Sequence, residues 1–291
     1  MRIAMLHTRV RVEERLLLEA FDALGIPVEP IDLGAIVFDL DAPSRWREYD
    51  LVFDRSLSLS ASLAALHCLE SFGVRCVNSA GGVSVASDKL RTSLALVHAS
   101  VPTPRVCVAP EPESGLAAVE SIGYPAVLKP TVGSWGRLMA RVHDRDGAEA
   151  VIEHRATLGS AQQRVVYAQE HIDKPGRDLR VFVVGGEAIA AISRTSAHWI
   201  TNTARAGTAA GEPVTPAITD IATRAVACVG LDLGAVDLFE CPRRGLLVGE
   251  VNHSMEFRNS IATTGVDIPR RIAEHIIAIA EQSRARVEVT A

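Results

Sequence analysis

Lysine is nearly missing from this chain: of its 30 basic residues, only Lys89, Lys129 and Lys174 are lysines. A lysine that survives such an arginine bias marks a position where a compact ammonium is needed, because a planar guanidinium does not replace it at a close phosphate contact. Excess charge is missing too. A net charge of −5 argues against a general nucleic-acid coat. The five cysteines, Cys68, Cys76, Cys107, Cys228 and Cys241, contain no CxxC pair. An odd, unpatterned set points to reduced thiols in a cytoplasmic protein. No apolar run approaches a membrane span, and "MRIAMLHTRV" is too quickly interrupted for a signal peptide. Repeats and low-complexity tracts are lacking. So are a G-x-S-x-G elbow for a nucleophile and a G-x-x-x-x-G-K-[ST] phosphate loop.

What is present is 291 residues, 48% of them hydrophobic, enough for a sizeable core and two or three subdomains. The first third alternates strand and helix patterns: "RIAMLH", then Val12–Leu24 closed by Gly25, then "VEPIDL", "LVFDRS", the helix Ser60–Phe72 and "VRCVNS". Such alternation implies a small parallel sheet covered by helices. A helix around Asp88–Ala99 follows, and "SVPTPRVCVA" marks a boundary. Beyond it the pattern turns antiparallel. "YPAVLKP" and "LMARVHD" flank a loop, Gly185-Gly186 joins two apolar strands as a hairpin, and "GAVDLFE" pairs with "GLLVGEVN". Helices are expected over about 145–158, Thr215–Gly230 and Asp267–Gln282.

Three stretches carry chemistry. In "LKPTVGSWGR", Lys129 ends an apolar strand and Gly133-Ser134-Trp135-Gly136 leads to the next. Glycines at both ends of a loop bring backbone N–H groups close to phosphate oxygens, and the lysine supplies charge; a plain hairpin with a solvated lysine is the alternative. In the paired acidic strands, Asp237, Glu250 and Asn252 share one face, since residues two apart point the same way. Set among apolar residues, they need partners, and two carboxylates with an amide oxygen suit Mg²⁺. In "AQEHIDKPGRDLRV", the strand end Gln169-Glu170-His171-Ile172 offers backbone groups to a base edge, Asp178 a ribose contact and Arg180 an anion contact. An Asp–Arg ion pair reads equally well. Arg194, with Asn202 and Arg205 in the polar loop "WITNTARAG", adds anion-binding capacity on a candidate lid. Trp46, Trp199 and Met139 read as structural.

In order, "SDKL", "LKPTVGSWGR", "QEHI…GRDLRVFVVG", "VDLFE", "EVNHSMEFRNS" and "TTGVDIP" resemble the RimK-like ATP-grasp ligases over essentially the whole chain. The chain looks most like the LysX-type branch, which attaches α-aminoadipate to the LysW amino-group carrier protein. The resemblance implies an ATP-grasp fold of mixed α/β and α+β class, with an N-terminal α/β domain (1–80), a central lobe (81–166) and a C-terminal lobe with the metal site (167–291). It implies ATP and Mg²⁺ as cofactors. Lys89, Lys129 and the loop Gly133, Ser134, Trp135, Gly136 and Arg137 would hold the phosphates. Gln169 to Ile172 would hold adenine and Asp178 the ribose side. Asp237, Glu250 and Asn252 would hold Mg²⁺. Arg180, Arg194 and Asn202 would serve catalysis, Arg194 and Asn202 also touching ATP. Arg205, Arg258, Asn259 and Ser260 would meet the amino acid.

The implied reaction forms an acyl phosphate on the carrier's C-terminal glutamate, which the amino acid's amine then displaces. No enzyme nucleophile is required, in keeping with the missing elbow. Asn259-Ser260, where glutamate-using relatives carry Gly-Phe, leans towards α-aminoadipate. One methylene is worth only about 1–3 kcal/mol in a pocket, so glutamate (for arginine biosynthesis) or another amino acid stays open. The partners implied are a small acidic LysW-type carrier protein and the amino acid, with neither nucleic acid nor membrane, in a cytoplasmic homodimer or homotetramer. Competing expectations are a RimK-like ligase adding glutamate to a protein tail and a non-catalytic ligand-binding module.

Overall fold

In the computed structural model, which describes residues 1–133, 137–201 and 208–290, the alternating first third forms a parallel sheet. Its strands are β1 (Ile3–His7), β2 (Val28–Asp32), β3 (Leu51–Asp54) and β4 (Cys76–Val77), ordered β2-β1-β3-β4. β1 is apolar throughout because both its faces are covered. Ile3 and Met5 pack with Leu17 and Phe21 of α1 (Val12–Ala23). Ala4 and Leu6 pack with Ala65, Leu66 and Leu69 of α2 (Leu59–Ser71). Two capped helices lead out of this layer. Ser79 caps α3 (Ala80–Ala86), and the Asp88 carboxylate caps α4 (Lys89–His98) by accepting from the Leu90 and Arg91 N–H groups. This fixes Lys89 at the first turn of α4.

The central layer is antiparallel, with strands β5 (Val106–Ala109), β6 (Ala126–Lys129), β7 (Ala140–Val142) and β8 (Val166–Glu170) in the order β5-β8-β6-β7. Helices α5 (Gly115–Ile122) and α6 (Arg145–Leu158) close a core around Val119, Leu128, Val142, Ile152 and Val166. The expected boundary at 166/167 falls at the start of β8, which pairs with both β5 and β6 of the central sheet.

The third layer has the order β11-β10-β9-β12-β13, all antiparallel. Its strands are β9 (Arg177–Val184), β10 (Glu187–Thr195), β11 (Thr208–Glu212), β12 (Leu233–Cys241) and β13 (Gly245–Asn252). Gly185 and Gly186 both take positive φ, 57° and 80°, as a tight hairpin demands. One face packs on α7 (Pro216–Cys228). The other meets α9 (Ile268–Thr290), whose Ile268, Ile272, Ile276 and Ala280 recur every fourth residue and share one core with α1 and β1. A short helix, α8 (Arg258–Thr264), contacts β10 and β11. Neither α8 nor β11 was expected from the sequence: α8 begins without a side-chain cap, and β11 directly follows the stretch 199–207 that read as a lid loop. Among the described residues, no helix is long and apolar enough to cross a membrane.

Candidate active site

All three lysines line a single cleft between the central and C-terminal layers. Lys129, at the end of β6, is only 6% exposed, and its ammonium makes no hydrogen bond or ion pair among the described residues. Burial pushes its ammonium down to about 8, and Glu250 offsets only part of that. A buried cation with no paired anion is expensive, so the geometry leaves Lys129 waiting for a negative ligand. Lys89 is anchored differently: its Nζ donates to the Gly133 carbonyl at 2.7 Å and lies 3.2 Å from the Glu250 carboxylate. Its backbone N–H bonds the Thr131 carbonyl. One residue thus ties the start of the glycine loop to the acidic strand.

Lys174 was not expected here, though its rarity was the available signal. Its Nζ donates to Thr201 Oγ1 at 2.7 Å, sits 3.3 Å from Asp178 and lies 4.9 Å from the Phe239 ring centroid. Burial lowers its pKa, with Asp178 acting against it.

Strand register assembles the next group. Asp237 on β12 faces Arg180 on β9, and Asp178 on β9 faces Arg194 on β10. Arg180 grips Asp237 through two bonds, Nε to Oδ1 at 2.8 Å and a second guanidinium nitrogen to Oδ2 at 2.9 Å. Arg194 bridges both acids, 2.7 Å to Asp178 and 3.0 Å to Asp237. Burial would raise the Asp237 carboxyl, but the two guanidinium charges and their hydrogen bonds outweigh it and hold the group well below the usual carboxylate range. Arg194 likewise stays charged: burial opposes it, and Asp237 and Asp178 overcome that cost. Asp178 also accepts from Thr201 and Lys174. Of the two roles the sequence offered for Asp178, the structure shows the ion pair, although its partner is Arg194 rather than Arg180.

On the acidic strands, Asp237 pairs in register with Glu250 and Ala235 with Asn252, so all three polar side chains share one face. A bulge at Gly249 breaks the register here, and a Cβ on that glycine would lie 2.4 Å from the Phe239 ring. The donor set fits Mg²⁺: two carboxylates and an amide, all hard oxygens. A carboxylate offers about four acceptor sites. Three N–H groups occupy Asp237, leaving a position on Oδ1, and the Glu250 side chain is 36% exposed. Asn252 spends only its Nδ2, on the Ala235 carbonyl at 3.4 Å.

The cleft has apolar and charged walls. Val127, Met139, Ile172, Trp199, Ile200 and Phe239 form an apolar slot, so Trp199 and Met139, read as structural from the sequence, belong to its wall. Lys89, Lys129, Lys174 and Arg194 line the cleft beside Asp178, Asp237 and Glu250, and Lys174 stands over the Phe239 ring. An apolar wall next to the unpaired Lys129 ammonium suits a polyphosphate joined to a planar base. Gln169, Glu170, His171 and Ile172 also line the cleft, but the Glu170 carboxylate is turned to the Arg105 N–H and the Arg244 guanidinium. Burial and Arg141 lower the His171 pKa.

Arg258, Asn259 and Ser260 do not join this cleft. They begin α8, where Arg258 lies 3.9 Å from Glu13 of α1, Asn259 is exposed and Ser260 is buried. Arg137 is exposed. Ser134, Trp135, Gly136, Asn202 and Arg205 lie outside the described residues.

Comparison with known proteins gives a consistent result. The model of the LysX preATP-grasp domain matches residues 3–85, and that of the RimK-like ATP-grasp domain matches residues 86–276. The glutamate–LysW ligase ArgX of Sulfurisphaera tokodaii is 28% identical over 95% of this chain and 98% of its own length. The α-aminoadipate–LysW ligase LysX of Sulfolobus acidocaldarius is 32% identical over 76% of this chain and 80% of its own. Among solved structures, a RimK domain ATP-grasp protein from Sphaerobacter thermophilus superimposes with a TM-score of 0.78 at 31% identity, covering 94% of this chain and 99% of that one.

Proposed function

The chain belongs to the RimK-like ATP-grasp family, and from that premise we propose that it loads an amino acid onto a small LysW-type carrier protein. As an ATP-grasp ligase it forms an amide bond at the expense of ATP, with Mg²⁺, and releases ADP. The proposed substrates are α-aminoadipate, through its amino group, and the side-chain carboxylate of the carrier's C-terminal glutamate. Glutamate in place of α-aminoadipate is the second reading, favoured by the 28% match that runs nearly end to end.

The observation that carries the reading is Lys129: a buried, unpartnered ammonium at the mouth of a glycine loop, facing two carboxylates across the cleft. The apolar slot takes the base. Lys129 and Lys89 meet the phosphate oxygens, and the latter holds the loop through the Gly133 carbonyl. Asp237, Glu250 and Asn252 would hold Mg²⁺, which when bound neutralises charge on the phosphoryl oxygens. Arg180 and Arg194, locked in place by Asp237 and Asp178, need no reorganisation to meet charge developing on the transferred phosphoryl group. The carboxylate oxygen attacks the γ-phosphorus and ADP leaves. The amine nitrogen then attacks the acyl carbon, and the C–O bond to phosphate breaks. Asn202 and Arg205 remain the proposed contacts to the acyl group and the amino acid.

The test is intact-mass analysis of a LysW-type carrier incubated with the protein, ATP, Mg²⁺ and either α-aminoadipate, glutamate or no amino acid. A mass gain only with α-aminoadipate supports the first reading, and a gain only with glutamate moves the enzyme to the second. Phosphate release without any mass gain would refute the carrier as acceptor.

A further inference from the structure

Between the edge strand β7 and α6 lies a second cavity of about 480 Å³. That volume falls within the about 300–1,000 Å³ of small-molecule sites. Pro130, Leu138, Met139, Ala140, Val151 and Leu158 give this open cavity an apolar side, with Leu138 and Leu158 largely exposed; His154 and Gln163 add polar groups, and Arg155 of α6 brings a cation into the wall. One Arg155 nitrogen donates to two carbonyls, Leu138 at 2.5 Å and Leu128 at 3.3 Å. The other two guanidinium nitrogens have no protein partner among the described residues. Among the described residues no carboxylate lies within ion-pair distance of this arginine, and burial alone depresses its pKa. Its place in the last turn of a helix suits the helix dipole, which explains a cation there but not the cavity beside it.

We propose that this cavity is a second ligand site, for a monocarboxylate with an aliphatic chain. The head group pairs with the free Arg155 donors and the chain lies along Leu138, Met139, Val151 and Leu158. A planar fork with unused N–H groups matches a carboxylate in two-point geometry, and the apolar part of the lining offers an alkyl chain the contacts it lacks in water.

The site is coupled to the cleft by structure. Arg155 staples Leu128, which precedes Lys129, to Leu138 at the far end of the loop. Met139 lines both cavities. A ligand that braces Leu138 and Met139 therefore stabilises the loop ends that flank Lys129, and by linkage each ligand strengthens the other equally. This coupling, unlike the binding, rests on the cleft being the nucleotide site.

The experiment is calorimetric titration of the full chain with decanoate, and with decanol as the uncharged probe of equal length, in wild type, Ala150→Trp and Arg155→Met. Ala150 lines the cavity from the exposed side of α6 and bonds nothing the loop needs, so its variant keeps the fold if Arg155→Met loses it. Saturable decanoate binding is expected, about tenfold stronger than decanol, the value of a charge-assisted bond. Ala150→Trp should abolish it, and Arg155→Met should erase the preference over decanol. MgATP should bind about fivefold more tightly with decanoate present. Absence of saturable binding, or undiminished binding in Ala150→Trp, would overturn the site while leaving the ligase intact. Decanoate binding without any MgATP binding would instead sink the nucleotide assignment of the cleft and spare this one.

Discussion

Lys129 should take up a proton when nucleotide binds, and the size of that uptake follows from its burial. The drop from an ordinary 10.5 to about 8 corresponds to about 3 kcal/mol at 1.36 kcal/mol per pKa unit, the net cost of a buried charge that Glu250 only partly offsets. In the ligand-free protein the folded state binds fewer protons than the unfolded chain between pH 8 and 10.5. Stability therefore rises with pH across that window, and the penalty is fully present below 8. Phosphate oxygens at the cleft supply the missing anion and return the lysine to its charged form. The uptake then equals the uncharged fraction before binding: about 0.1 proton at pH 7, 0.5 at pH 8 and 0.9 at pH 9. MgATP affinity falls about tenfold from pH 7 to pH 9 by the same relation. The assay is titration calorimetry at pH 8 and 9 in buffers of differing ionisation enthalpy, where the slope of apparent enthalpy counts protons. A slope of zero in the wild type refutes the reasoning. A wild-type slope that persists in Lys129→Met assigns the proton to another group.

Lys129→Arg keeps the charge but brings a larger, permanently protonated group into a buried site, and should weaken MgATP at least tenfold by the same calorimetry. Asp237→Asn leaves Arg180 and Arg194 without their shared anion and should cost about 3–5 kcal/mol in urea denaturation, with ligation lost. Because the Asp237 carboxyl is depressed in the folded protein, its contribution is present above its ordinary 3.8 and fades as pH falls below it towards the folded value. An Asp237→Asn difference that is unchanged at pH 2 would contradict this. Gly249→Ala drives a methyl against Phe239 in the cleft wall and should cost about 1–3 kcal/mol, with nucleotide affinity falling alongside. Gly82→Ala meets the Gly230 carbonyl at 2.3 Å and should lower the melting temperature through the same overpacking penalty of about 1–3 kcal/mol.

Much of the site was legible because its residues sit at positions that local rules describe. A two-residue period put Asp237 and, across the hairpin, Glu250 and Asn252 on one face before any coordinates were known, and the register of β12 and β13 agrees. An apolar run ending in a lysine and then glycines located Lys129. Residues whose role depends on distant partners were not legible in this way. Trp199, Met139 and Phe239 read as ordinary apolar residues until the central and C-terminal layers faced each other. Arg258 to Ser260 read as substrate contacts next to the acidic strand, yet a helix begins there and turns Arg258 towards Glu13.

By itself, the sequence determined most of the elements, the face the acidic strands present and, Lys174 apart, the shortlist of charged groups, because periodicity, turn chemistry and residue type act within a few residues. Which charges meet was left to the tertiary structure. Arg180 and Arg194 are gathered around Asp237 by the pairing of three strands, and Lys129 is left unpaired by the packing of two layers. Those outcomes depend on register and burial, which change the energy of a charge by several kcal/mol without altering a letter of the local sequence.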